Sequence, residues 1–296
     1  MKLAQVAAAI GAVKGLYAPT PTQLDPFRNT NPYGKHAIID LSDFVTYQSI
    51  EIKCDLPIER LGRVSIERDT QEIVGIEASF FHKRDSFKKL PFESKGVNGA
   101  SQTRLILPFA DETMRTQVGI RRGEYVHKQG EKLMIKIQVL PKESGDPDVP
   151  SFDATARTSD GQAERYFQQR WTETSITHSQ KGEQKHDFPI MGQNVRLRSM
   201  LLECENDDIV KIQIKRNKEI IWEKTVEDLR FEQARYGDRK VPAKGVWIDF
   251  CLEGWAAEQA FTPIASESLK LVIDKRSTGE INICHDYIEI ERLPSV

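Results

Sequence analysis

Val45, Tyr47 and Ser49 alternate with polar neighbours, and Ile50, Ile52 and Cys54 then alternate in the opposite phase. A period of two marks a strand, and a slip of one residue within it marks a β-bulge. The same pattern returns 150 positions later, where Val195, Leu197 and Ser199 give way to Met200, Leu202 and Cys204. Across the two windows, residues 35–54 and 185–204, the pairs Lys35/Lys185, His36/His186, Val45/Val195, Ser49/Ser199 and Cys54/Cys204 are identical. Both windows slip at the same serine. The chain therefore reads as an internal duplication.

The correspondence continues at an offset of 148, where Val64 and Ile66 fall on Ile212 and Ile214. Each half there predicts a strand, a tight polar turn and a second strand, the turn being Asn217-Lys218 in one half and a slightly longer Asp69-Thr70-Gln71 in the other. RLILPF (104–109) matches VWIDFCL (246–252), and LMIKIQV (133–139) matches INICHDY (281–287). After the second hairpin, TVEDLRFEQARYG predicts a helix with Thr225 as N-cap, Asp228 at the capping-box position and Gly237 as terminator. The segment PKESGDPDVPSFDATARTSDG has no apolar period and reads as a linker. Behind it, Asp160 can cap a helix with Ala163, Tyr166, Phe167, Arg170 and Trp171 on one face, a brace between the halves. Short strands with one apolar face and frequent turn signals predict an all-β chain of two tandem antiparallel sandwiches with a few inserted helices. The divisions expected are 1–30 for an N-terminal helical arm and its extended linker, 31–141 for the first sandwich, 142–184 for a linker with a helix, and 185–296 for the second sandwich.

In the arm, Leu3, Val6, Ile10 and Val13 recur at helical spacing between Lys2 and Lys14. The apolar run is shorter than the ~20 residues of a membrane span, and Lys14 breaks it. Such a stripe packs on its own domain, docks on a neighbouring subunit or touches a lipid surface. Gly15 and the prolines at 19, 21 and 26 then end the helix.

Composition narrows the classes. Of the 296 residues 39% are hydrophobic and 29% charged, values of a soluble globular chain, and 42 basic against 44 acidic residues leave a net charge of −2, without the basic excess of a dedicated nucleic-acid binder. Cys54, Cys204, Cys251 and Cys284 form no C-x-x-C pair and sit in apolar runs, as buried free thiols do. There is no glycine-rich phosphate loop, G-x-S-x-G or H-E-x-x-H. Six scattered histidines include His178 and His186 at a loose metal-ligand spacing, while His36 and His186 are expected to open the first strand of each sandwich. Asp146-Pro147-Asp148 offers hard oxygens suited to Ca²⁺ but reads better as solvated linker. Lys83-Arg84, Lys88-Lys89 and Arg121-Arg122 lie among acidic neighbours and read for the most part as solvated faces.

Over residues 185–293 the chain resembles the double jelly-roll major capsid proteins, most closely those of tailless, membrane-containing, corticovirus-type phages. The resemblance is carried by VRLRSMLLE, IVKIQIKRNKEIIWE, the helix ending in ARYG, an F-x-L-E-G motif (Phe250, Leu252, Glu253, Gly254) and an L-x-L-x-I-D run (Leu269, Leu271, Ile273, Asp274). The first half is similar through IERLGRVSIERD and through the repeat. The resemblance implies two jelly rolls, no catalytic residues, and homotrimers that tile an icosahedral virion shell around an internal membrane. It also implies contact with neighbouring trimers and with minor capsid and vertex proteins, no specific nucleic acid, and folding in the host cytoplasm. Lys2, Leu3, Val6, Ile10, Val13 and Lys14 would form the assembly or membrane-contact arm. No cofactor is implied beyond structural Ca²⁺, which can sit at subunit contacts in the family and has no residue assigned to it here. Competing readings of the same pattern are a two-module carbohydrate-binding or attachment protein, against which Trp222, Trp247 and Trp255 argue by lying in or beside apolar strands, and a sandwich hydrolase with an acidic pair.

Overall fold

The computed structural model describes residues 19–29, 31–42 and 44–291. The amphipathic stripe of Leu3, Val6, Ile10 and Val13, with Lys2 and Lys14, lies outside the described residues. In chain order the strands of the first half are β1 (Thr20–Gln23), β2 (His36–Leu41), β3 (Val45–Cys54), β4 (Leu61–Arg68), β5 (Gln71–Glu77), β6 (Thr103–Leu107), β7 (Tyr125–His127), β8 (Leu133–Val139) and β9 (Phe152–Asp160). Those of the second half are β10 (Phe167–His178), β11 (Gly182–Asp187), β12 (Val195–Glu203), β13 (Ile209–Arg216), β14 (Glu219–Thr225), β15 (Val246–Asp249), β16 (Leu269–Lys275) and β17 (Gly279–Ile290). The helices are α1 (Ser79–Phe87), α2 (Gln117–Arg121), α3 (Val226–Tyr236) and α4 (Ala256–Gln259).

In the first roll the sheet β1-β9-β3-β6, with β7 also on β3, faces β5-β4-β8-β2. In the second, β10-β17-β12-β15 faces β14-β13-β16-β11. The two orders are the same strand for strand, so the duplication is structural. The slip at the shared serine is a bulge in both copies: β3 shifts register against β9 between Tyr47 and Ser49, and β12 against β17 between Leu197 and Ser199. The carbonyls of the extra residues, Gln48 and Arg198, accept equivalent backbone N–H groups from Ala110 (2.7 Å) and Phe250 (2.9 Å).

Alternation fills each core. Ile39, Ile50, Ile52, Val64, Ile66, Leu105, Ile135 and Ile137 lie in the first, and Leu197, Met200, Leu202, Ile212, Ile214, Leu271, Ile273, Ile281 and Ile283 in the second. Asn217 and Lys218 take φ of 49° and 76°, the left-handed pair that a two-residue hairpin of matching twist needs. Helix α3 starts as its sequence predicts, with the Thr225 hydroxyl accepting from the Asp228 N–H at 3.1 Å, and Gly237 caps its end.

Four expectations are corrected. The hairpin at Asp69 is no longer than its counterpart, because Arg68 pairs directly with Gln71. LMIKIQV corresponds to β16 and not to INICHDY: β8 lies between β4 and β2 as β16 lies between β13 and β11, while β17 is the counterpart of β9, each being the second strand of its sheet. The segment 142–184 is not a linker with a helix. Phe152–Asp160 is a full strand paired with β3, and Phe167–His178, with Trp171 in it, is a strand paired with β17 along all of its twelve residues. Tyr166, Phe167, Arg170 and Trp171 have helical spacing, but Thr172, Thr174, Ile176 and Thr177 supply the β-branched side chains that favour a pleated, paired surface, and the waiting β17 edge decides. Finally, His36 opens β2, but His186 is near the end of β11, so their identity is not a shared position.

The seam between the rolls and candidate assembly surfaces

The rolls are joined where β10 meets β5 in parallel at Thr172 and Gly75, making one eight-stranded sheet out of half of each roll. Helix α1, which follows β5, lies over the outer face of the second roll. Trp247 stacks on Phe87 (centroids 4.7 Å apart, planes at 11°) and lies 5.8 Å from Phe80, while Trp171 meets Phe81 edge-on at 5.2 Å and Phe109 at 5.5 Å. Leu201 and Cys284, pointing out of the second roll, belong to the first roll's core cluster. Trp171 thus braces the halves from a strand. Aromatic pairs of this kind contribute about 0.5–1.5 kcal/mol each beyond their burial.

Beside the rings lies a buried ionic cluster contributed by both rolls. Lys88 Nζ is 2.5 Å from Asp111 Oδ2, and Arg84 reaches Asp111 (3.3 Å) and Asp286 (3.6 Å). From the second roll, Arg198 Nη2 donates to Asp286 Oδ1 at 2.8 Å and to Gln169 Oε1 at 2.5 Å, and Gln169 Nε2 donates to Asp286 at 2.8 Å. The bulge has a purpose here: the extra residue it inserts is Arg198, turned out of the sheet into this cluster. Burial opposes ionisation of Asp111, yet Lys88, Arg84 and Arg198 overcome it and hold that carboxyl well below its usual range. Asp286 is likewise held low, against burial, by Arg198, Arg84 and Lys88. Asp85, more buried than it is compensated by Arg84, is pushed up to about 6. Arg84 and Lys88 are therefore buried seam residues and not the solvated basic residues their sequence context suggests.

The other candidates for chemistry are dispersed. His178 and His186 are brought together, Nδ1 to Nε2 at 3.4 Å, but the second nitrogen of His178 meets the Gly182 carbonyl at 3.1 Å, and no cluster of three or more His, Cys, Asp or Glu suited to a metal occurs among the described residues. His127 lies between the carbonyls of Ser42 (2.7 Å) and Glu131 (2.9 Å), and His82 meets that of Arg104 (2.9 Å). Asp146 accepts from Arg60 Nη2 (2.9 Å) and from the Glu143 N–H (2.9 Å), and Asp148 pairs with Lys142 (2.6 Å), so this run is pinned to the first roll by its own cations. All four cysteines are free; Cys54, Cys251 and Cys284 are buried, Cys204 partly so, and burial pushes the thiols of Cys54 and Cys251 up to about 12. Trp247 is buried and Trp222 half-buried, whereas Trp255 is exposed with the Arg115 guanidinium 5.3 Å from its ring. Among the described residues no helix is long and apolar enough to cross a membrane.

The resemblance motifs have structural roles. Leu269, Leu271 and Ile273 face the second core from β16, and Phe250 stacks on Phe261 at 5.1 Å. Gly254 takes φ +84° where a side chain would meet the Thr113 carbonyl at 3.1 Å, so the turn after Phe250 can approach the first roll closely.

Two tandem rolls of one topology, joined at an aromatic and ionic seam, are the architecture of the double jelly-roll capsid proteins. The family models agree: residues 21–159 match the viral coat protein P2 N-terminal domain and residues 168–291 its C-terminal domain, and the chain belongs to this coat protein family. Among solved structures, the major capsid protein P2 of bacteriophage PM2 is similar with a TM-score of 0.80 at 15% identity, covering 94% of this chain and 100% of that one. The major capsid protein of Sulfolobus turreted icosahedral virus superimposes with a TM-score of 0.65 at 10% identity over 92% of this chain and 97% of that one. VP54 of PBCV-1 gives 0.65 at 11% over 94% and 97%. A search of curated protein sequences finds no match. The chain is a major capsid protein of the corticovirus-like type, structural and not enzymatic, and its place is the capsid of a virion.

Proposed function

We propose that three copies associate into a capsomer with six similar rolls around one axis, and that these pseudo-hexagonal trimers tile an icosahedral shell around an internal membrane. The supporting observation is the equivalence of the rolls down to the bulge at Ser49 and Ser199, since a threefold ring can mimic a sixfold tile only if its two modules are interchangeable. Neighbouring trimers and minor capsid and vertex proteins would meet the capsomer's rim. The arm carrying Leu3, Val6, Ile10 and Val13 would reach a neighbour or the membrane, with Lys2 and Lys14 toward lipid phosphates. The free thiols suit folding in a reducing host cytoplasm. The reading asks for no resident cofactor and no specific nucleic acid, and it assigns no residue to calcium.

Native mass measurement and electron microscopy of the purified chain test it. A stable trimer with a hexagonal outline is the expected result. A monodisperse monomer with measurable glycan affinity would overturn it in favour of an attachment protein.

A further inference from the structure

The seam joins two rolls whose positions correspond one to one. Equivalent positions can be read from register. Arg157 on β9 pairs with Ser49 and Pro21, and Asp286 on β17 pairs with Ser199 and Trp171, so β1 is the counterpart of β10 and Pro21 that of Trp171. The hairpins β4–β5 and β13–β14 both slip one residue at the same step, after Ile66 and after Ile214, which makes Ile73 the counterpart of Ile221. The buried positions Ala78, Phe81 and Asp85 of the α1 region coincide at the same offset with Val226, Leu229 and Gln233 of α3, which sets Arg84 against Glu232 and Lys88 against Tyr236.

Equivalent residues differ in how far they are covered. In the first roll the edge of β5 is covered by β10, and Ile73 is 1% exposed. In the second roll β14 ends its sheet, and Ile221 is 40% exposed, with Phe231 (66%) and Tyr236 (60%) beside it on α3. At the other end β1 closes the first roll's sheet, and the outer face of that sheet carries a groove of about 530 Å³ lined by Pro21, Gln48, Glu51, Ile106, Thr155 and Arg157. These are the counterparts of Trp171, Arg198, Leu201, Trp247, Cys284 and Asp286, the residues on which α1 sits in the seam. Charge supplies independent support. The seam sets Arg84 of α1 against Asp286 of β17; at the two faces that no other described strand or helix covers, the counterparts are Glu232 and Arg157, with both signs reversed and the pair again complementary. Glu232 now pairs with Lys224, and Arg157 with Glu112 at 3.5 Å, contacts at partly exposed positions that cost little to exchange.

We propose that the β14–α3 face of one copy docks on the outer face of the β1-β9-β3-β6 sheet of a second copy, with Glu232 against Arg157 and β1 alongside β14. The contact is head-to-tail, and its closure after three copies rests on the trimer proposed above. The test is native mass measurement, across a concentration series, of the wild type, Glu232→Arg, Arg157→Glu and the double charge swap, with circular dichroism melting to verify folding. Each single variant is expected to stay folded and dissociate at concentrations at least 100-fold higher than wild type, and the swap to recover to within about tenfold. Single variants that associate like wild type, or a swap that recovers nothing, would overturn the contact while leaving a wild-type trimer standing. A wild type that closes into another ring but still obeys the charge swap would remove the trimer and keep the contact; a monomer at every concentration would remove both.

Discussion

At the scale of single residues, several polar groups buried in this coat protein join one roll to the other. Arg198 is the clearest case: one inserted residue turns a guanidinium out of β12 and into a cluster where Asp286 and Gln169 await it. His285 is the converse, an imidazole inside the second roll whose Nε2 meets the Thr174 hydroxyl at 2.8 Å and whose Nδ1 has no partner. Burial depresses its pKa from 6.5 to about 3. Between those values the unfolded chain binds the proton and the folded one does not, so this group's contribution is complete above pH 6.5 and lost as pH falls toward 3, by about 1.4 kcal/mol per pH unit. His285→Gln is expected to destabilise the protein at pH 7 and to narrow its deficit against wild type on acidification to pH 4.5. Urea midpoints at several pH values measure this, and a deficit independent of pH would refute it. None of this was legible from the six histidines, because spacing along a strand does not say which histidine is dry.

Among elements, those with a local code were legible and those completed by distant partners were not. The cap at Thr225, the Asn217-Lys218 hairpin and the paired bulges follow from side-chain chemistry within a few residues, and the structure keeps them. The aromatic spacing that opens strand β10 satisfies the helical period as well as the strand period, and only pairing with β17 decides between them. The seam itself, with α1 laid on Trp247, had no sequence signal beyond an aromatic-rich stretch. Trp247→Ala should cost about 3–5 kcal/mol, the range for deleting a large buried aromatic. Since Trp247 links the rolls, chemical denaturation followed by circular dichroism should also resolve two transitions where the wild type shows one. A single transition at an unchanged midpoint would count against the seam as the joint between the rolls.

For the molecule as a whole, the same architecture is used twice, and among the described residues one end of it offers β1 as an edge and the other β14. Deleting residues 1–16 should leave a folded trimer and impair shell assembly or vesicle binding, measured by mass and by liposome flotation. Loss of the folded trimer would make that segment part of the core instead. The duplication, the all-β class, the absence of a catalytic motif and the family resemblance were all determined by the amino-acid sequence alone, because period, turn chemistry and repetition are carried by neighbours along the chain. Which strand of one half answers which strand of the other, where the linker ends, that Lys88 is buried, and which faces stay uncovered were decided only by tertiary structure. Those features depend on pairing and burial between residues far apart in the chain, from Lys88 against Asp111 to β10 against β17, where the free energy belongs to the contact and neither segment contains it.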